Sequence, residues 1–129
     1  MDAAVTHARL EAKPCTTRGL PLAGASGWRP GLAARLLEQA AALKVADVVT
    51  PDVAAHLARS YGDRAPMVLA LMPPSRSGGT HRLAPGWPDL DAEVLFCARA
   101  EFCATAVDFL ARRSRLAFLD VAAARQVRC

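Results

Sequence analysis

The chain has 129 residues, with sixteen Lys and Arg against twelve Asp and Glu and a net charge of +4. That length supports one domain, or one domain and a tail, and lets roughly two-thirds of the unfolded surface be buried without metals or disulfides. The positive charge is spread along the chain except at Arg112, Arg113 and Arg115, which argues against the dense, aromatic-laced stripe of a nucleic-acid surface.

Hydrophobic residues make up 53% of the chain and aromatics only 5%, with alanine filling much of the difference. Alanine favours helix but occupies little volume. The composition therefore predicts a helical, thinly packed domain that leans on a partner surface. No apolar stretch reaches the 18 residues of a membrane span, and the N-terminus has no continuous apolar segment of a secretory leader.

Residues 1–29 carry Pro14, Gly19, Pro21, Gly24 and Gly27 and read as an irregular arm, with one short extended piece from Thr16 to Leu22. A first helix is expected over 30–43, with Pro30 at its first position and Leu32, Leu36, Ala40 and Leu43 on one face. The next helix, 51–61, has Thr50 as N-cap, Pro51 at the first position, Asp52 at the positive end of the dipole, a Val53–Leu57–Tyr61 stripe and Gly62 as its stop. Asp63 is expected to cap a short helix from Arg64 to Met72, which Pro73-Pro74 ends. Residues 73–88 are a breaker-rich connector that Leu83 and Trp87 pin to the core.

The longest helix is expected over 90–113, capped by Asp89 or Asp91, with Leu95, Phe102, Ala106 and Phe109 or Leu110 inward. On that reading Glu101, Thr105, Asp108 and Arg112 share the opposite stripe, and Arg112 and Arg113 answer the dipole in the last turn. Asp120 caps a final helix that is cut off at Cys129. The fold class is all-α: about five helices over 30–129, preceded by the irregular arm 1–29.

Chemistry-bearing residues are sparse. Cys15, Cys97, Cys103 and Cys129 have no CxxC spacing and His7, His56 and His81 are isolated, so no metal site is expected. Cys97 and Cys103 read as core residues of a reducing compartment, His56 as exposed or capping, and Tyr61 as a core anchor with its hydroxyl at the surface. No Cys–His nucleophile is expected, since no orienting partner is evident. Arg112, Arg113 and Arg115 have the forks to hold a phosphate, but they stand at a helix C-terminus, where compensation of the dipole is the simpler reading.

Four ordered blocks carry a resemblance. They are His7-Ala-Arg-Leu10 to Thr17 with Leu20-Pro-Leu-Ala-Gly24-Ala and Trp28; Thr50-Pro-Asp-Val-Ala-Ala-His56-Leu-Ala-Arg-Ser-Tyr61-Gly62-Asp63; Leu90-Asp-Ala-Glu93-Val; and Cys97-Ala-Arg-Ala-Glu101-Phe-Cys-Ala-Thr-Ala-Val-Asp108-Phe-Leu-Ala-Arg112-Arg113-Ser-Arg115-Leu-Ala-Phe-Leu-Asp120. Over about residues 5–125 the chain resembles the helical C-terminal part of FAD-dependent, mitochondrial-type glycerol-3-phosphate dehydrogenases, most nearly the plant and algal ones. It departs in Ala100, where that family usually has His, and in Ser114, where it has Thr or Cys. Nothing in the chain resembles the GxGxxG turn that holds a flavin pyrophosphate.

The resemblance implies that FAD is bound by a domain absent from this chain. No catalytic, cofactor-binding or metal-binding residue carries over. The arm becomes a remnant of the junction with the FAD body, and the domain is expected to be truncated at its end. Glu101, Asp108, Arg112, Arg113 and Arg115 become candidates for contact with that body, Glu101 with Arg112 and Arg113 acting as an interdomain latch. Without the family, the Asp108–Arg112 pair and its neighbours would be a solvated helix face. Implied partners are the FAD domain, a second copy in a homodimer and the membrane quinone pool, and the implied location is the mitochondrial inner membrane. The rival reading is a stand-alone helical interaction module without catalysis.

Overall fold

A computed structural model describes residues 2–73 and 81–127. Among these the fold is all-α, with no strand beyond one antiparallel bridge between Arg82 and Leu90. The helices are α1 (Asp2–His7), α2 (Leu32–Ala42), α3 (Pro51–Tyr61), α4 (Ala65–Leu69), α5 (Asp91–Ala100), α6 (Leu116–Leu119) and α7 (Val121–Gln126). Short 3-10 turns occupy Thr17–Gly19 and Gly62–Arg64, and a π-helical turn runs from Asp108 to Arg113. None of these helices is long and apolar enough to cross a membrane.

The core lies between α2, α3, α4 and α5. Leu36, Ala40, Val53, Leu57, Val68, Leu69, Leu90, Phe96 and Cys97 are buried in it, and Phe109 reaches it from the π-helical turn. The i, i+4 stripes of α2 and α3 bury their apolar residues here, as their spacing requires. Leu43, expected on the same face of α2, follows the last turn and is 40% exposed. A smaller cluster gathers Ala84, Leu116 and Ala123 under Trp87. Leu83 packs on the main core and Trp87 on the small one, so the connector is pinned as expected. Its Pro74 to Thr80 portion lies outside the described residues, as does Cys129.

The arm is the loosest part. No residue of α1 is buried, and Leu10, Leu20, Leu22 and Trp28 face outward. The expected extended piece is replaced by the 3-10 turn at Thr17–Gly19. One crossing ties the arm down: Asp63 N–H donates to the Gly24 carbonyl at 2.9 Å and Gly27 N–H to Asp63 Oδ2 at 2.6 Å. Gly24 and Gly62 both have positive φ, and a Cβ on Gly62 would collide with the Gly24 backbone. Asp63 is thus a strap on the arm and not the expected helix cap.

Other local expectations also shift. Pro30 precedes α2, whose N-cap is Gly31 in the left-handed region. The Thr50 hydroxyl does not cap α3; it donates to Asp52 and accepts from Arg82 Nη2 at 2.6 Å. Arg82 also pairs with Asp52 at 2.9 Å, and this fork, with Thr50, holds the Asp52 carboxyl far below the usual carboxylate range. Neither Asp89 nor Asp91 is the N-cap of α5. Leu90 is, and Glu93 reaches back to accept from its N–H at 2.7 Å. The expected short helix over 64–72 divides into a 3-10 turn and α4. Asp120 does cap α7, accepting from Ala123 N–H at 2.9 Å.

The largest correction concerns residues 90–113. The helix ends at Ala100, Phe102 takes φ +55°, and the chain restarts near Ala106. The expected inner face dissolves with it: Leu95 is 38% exposed, Phe102 fully exposed and Ala106 exposed, leaving Phe109 buried and Leu110 half-buried. A straight helix of that length would run about 36 Å, the full width of a body of this size. The break folds Phe109 back onto the core. The restart carries its own signal, Thr105-Ala-Val-Asp108. Asp108 Oδ2 accepts from Thr105 N–H at 3.0 Å, and Asp108 N–H donates to Thr105 Oγ1 at 3.2 Å.

Candidate functional site

Two polar groupings stand out, one at the break after α5 and one inside the core. At the break, Glu101 pairs with Arg113 at 3.0 Å and with Arg64 at 3.4 Å. Arg113 Nη2 also donates to the Glu101 carbonyl at 2.6 Å, closing the exposed end of α5. Arg64 lies over the Phe96 ring at 4.8 Å, and Phe96 meets Tyr61 edge-on. The hollow formed by Glu101, Phe102, Cys103, Asp108, Arg112 and Arg113 has a volume of about 470 Å³.

Of the residues singled out from the sequence, Glu101 and Arg113 come together. Arg112 turns away to Asp108 at 3.2 Å and is largely exposed. Asp108 is spent on the Thr105 cap, whose hydroxyl and N–H hold its carboxyl below the usual value. Arg115 sits at φ +60° with no ion pair among the described residues. Arg112 and Arg113 line one hollow but are paired with the separate carboxylates of Asp108 and Glu101, and Arg115 is not part of its lining. The shared stripe of Glu101, Thr105, Asp108 and Arg112 is absent because the helix that would display it is broken.

In the core, Tyr61 Oη lies 3.6 Å from Cys97 Sγ, and that thiol donates towards Glu101 Oε2 at 3.6 Å. The Tyr61 hydroxyl is therefore inside and not at the surface as expected; burial and the nearby Glu93 charge push it far above its ordinary pKa. Burial likewise pushes the Cys97 thiol up to about 11, the opposite of an activated nucleophile. Cys103 is half-buried, with Sγ directed to the Thr105 carbonyl.

His56 was expected exposed or capping, but it is largely buried and its Nε2 faces two carboxylates. Glu93 Oε2 lies at 2.9 Å and Asp89 Oδ1 at 3.8 Å. Asp89 and Glu93 are only 3% and 2% exposed. Burial pushes the imidazole down, but the Glu93 hydrogen bond and the charges of Glu93 and Asp89 more than offset it, so His56 is raised. Burial and Glu93 raise Asp89. The sequence held a partial signal: the i, i+4 pair Asp89 and Glu93 opens an apolar helix where one turn must be covered.

The comparisons with known proteins decide the family. Residues 15–128 match the profile of the C-terminal domain of alpha-glycerophosphate oxidase. The chain belongs to that family. A mitochondrial glycerol-3-phosphate dehydrogenase of Arabidopsis thaliana is 39% identical over 132 residues, covering 96% of this chain and 21% of the relative. A probable mitochondrial glycerol-3-phosphate dehydrogenase of Dictyostelium discoideum is 38% identical, covering 84% and 16%, and the human mitochondrial enzyme is 37% identical, covering 98% and 17%. The chain thus spans about a fifth or less of the length of these relatives. No solved structure matches it significantly.

Proposed function

We propose that this chain acts as the helical C-terminal domain of an FAD-dependent glycerol-3-phosphate dehydrogenase, which oxidises sn-glycerol 3-phosphate to dihydroxyacetone phosphate and delivers electrons to quinone at the mitochondrial inner membrane. The observation that carries this is the match of residues 15–128 to a C-terminal domain, repeated in relatives several times longer. Its partner is the FAD body of the same enzyme, with a homodimer compatible with the arrangement.

The described residues do not fit FAD. They offer no strand–turn–helix unit and no glycine-rich turn leading into a helix N-terminus, which a flavin pyrophosphate requires. The residues here act by binding and orienting a neighbour. The outward-facing Leu20, Leu22, Trp28, Phe102, Phe118 and Leu119 support this reading. The latch is reduced to Glu101 held between Arg64 and Arg113, with the exposed Arg112, oriented by Asp108, and Arg115 directed to the body. The arm 1–29 then forms the junction and 30–129 the domain proper.

The test is twofold. The purified chain should give no dye reduction with glycerol 3-phosphate, because the flavin chemistry needs the flavin-binding fold; turnover by the chain alone refutes the reading. A chimera of the Arabidopsis relative carrying this chain in place of its matching segment should bind FAD and turn over. A flavin-loaded but inactive chimera, together with a compact, cooperatively melting isolated chain, would favour a free-standing interaction module.

A further inference from the structure

The cluster of His56, Asp89 and Glu93 belongs neither to the latch nor to any surface the proposed function uses. We propose that His56 Nε2, Asp89 Oδ1 and Glu93 Oε2 hold one divalent first-row cation, of the Zn²⁺ or Mn²⁺ kind, which clamps α3 to the first turn of α5. These three atoms lie within 4.8 Å of one another. Ligand atoms bound to one cation at about 2.0–2.2 Å stand roughly 3–4.4 Å apart. The 3.8 Å from His56 to Asp89 lies in that range, the 2.9 Å to Glu93 at its short edge, and the widest separation, up to 4.8 Å, closes when the ion binds. One imidazole and two carboxylate oxygens suit Zn²⁺, Mn²⁺ or Fe²⁺ and disfavour Ca²⁺, which takes six to eight oxygens.

A second observation points the same way. Asp89 is only 3% exposed, and among the described residues the positive group that faces its carboxylate is His56, at 3.8 Å. Two carboxylates buried side by side are costly unless a cation answers them both. The first turn is already arranged: Leu90 N–H fixes Glu93 Oε1 at 2.7 Å, which leaves Oε2 aimed at the cluster. The His56 side chain, 15% exposed, gives a way in from solvent.

The chelator-treated full chain is titrated with Co²⁺ at pH 8, followed by visible absorption and by the histidine ring signals in NMR. One equivalent should bind, with ligand-field bands, no thiolate-to-metal charge transfer, and the His56 ring shifted before His7 or His81. Zn²⁺ should compete, and at a hundredfold excess over Kd should raise Tm by roughly 5–10 °C. Asp89→Asn should weaken binding roughly 10–100-fold. If that variant melts too low to titrate, the ring signals of the unmutated chain decide. Charge transfer from thiolate, prior shifts at His7 or His81, unaltered affinity in Asp89→Asn, or no binding each overturns the proposal.

Discussion

The region built from α2, α3, α4 and α5 closes on itself, whereas the segment from Glu101 onward turns much of its apolar surface outward. The first buries Leu36, Val53, Leu57, Leu69 and Phe96 against one another. The second leaves Phe102, Val107, Phe118, Leu119 and Val121 exposed and, among its described residues, buries only Leu116, Ala123 and the inserted Phe109. Both are alanine-rich and helical, so helix propensity does not separate them. What separates them is whether large side chains on neighbouring helices face each other.

Breaking the closed region should produce the largest effects. Gly62→Ala places a Cβ in the Gly24 backbone at positive φ, so the arm must lift from the body; urea denaturation is expected to show a loss of about 3 kcal/mol or more, and proteolysis to begin within 1–29. Leu57→Ala, with no exposure, should cost about 2–5 kcal/mol by the same measurement. In the open region the sign reverses. Phe102 pays strain at φ +55° without burial, so Phe102→Gly should stabilise the isolated chain by about 1 kcal/mol. Any other outcome means that the ring is packed in solution.

Two smaller effects sharpen the contrast. In metal-free protein the raised His56 contributes stability that is complete below its ordinary 6.5 and is lost as pH rises through its folded value. Asp89, also raised, acts in the same direction from 3.8 upward. Tm at pH 5.5 should therefore exceed Tm at pH 8, and His56→Gln should flatten the difference. Phe118→Ser, at 74% exposure, should change the stability of the isolated chain by no more than about 0.5 kcal/mol. A larger loss would indicate self-association through that face.

Legibility followed the same divide. Pro51, the Val53–Leu57–Tyr61 stripe and Gly62 all agreed on α3, and its observed bounds are those expected. Local signals sufficed because no distant residue opposed them. The run through residue 113 was misread because its apolar spacing continues across Glu101 to Thr105, while the break is imposed from outside by Arg64, Arg113 and the docking of Phe109. The Thr105-x-x-Asp108 cap could have been seen, but inside an apparent helix it looked like part of a stripe. Likewise His56 and Glu93 lie 37 positions apart, and only the packing of α3 on α5 joins them.

The fork from Arg82 to Asp52 and Thr50 spans thirty positions and sets an order of assembly. α3 can form from its own local signals, but the Asp52 carboxylate in its first turn gains a cation only when the segment preceding α5 arrives. Docking of that segment is then expected to follow the rate-limiting step, so Arg82→Ala should leave the refolding rate nearly unchanged and speed unfolding. With the refolding rate unchanged, unfolding quickens by the whole equilibrium loss and by no more, a small factor for a pair at a solvent-exposed carboxylate.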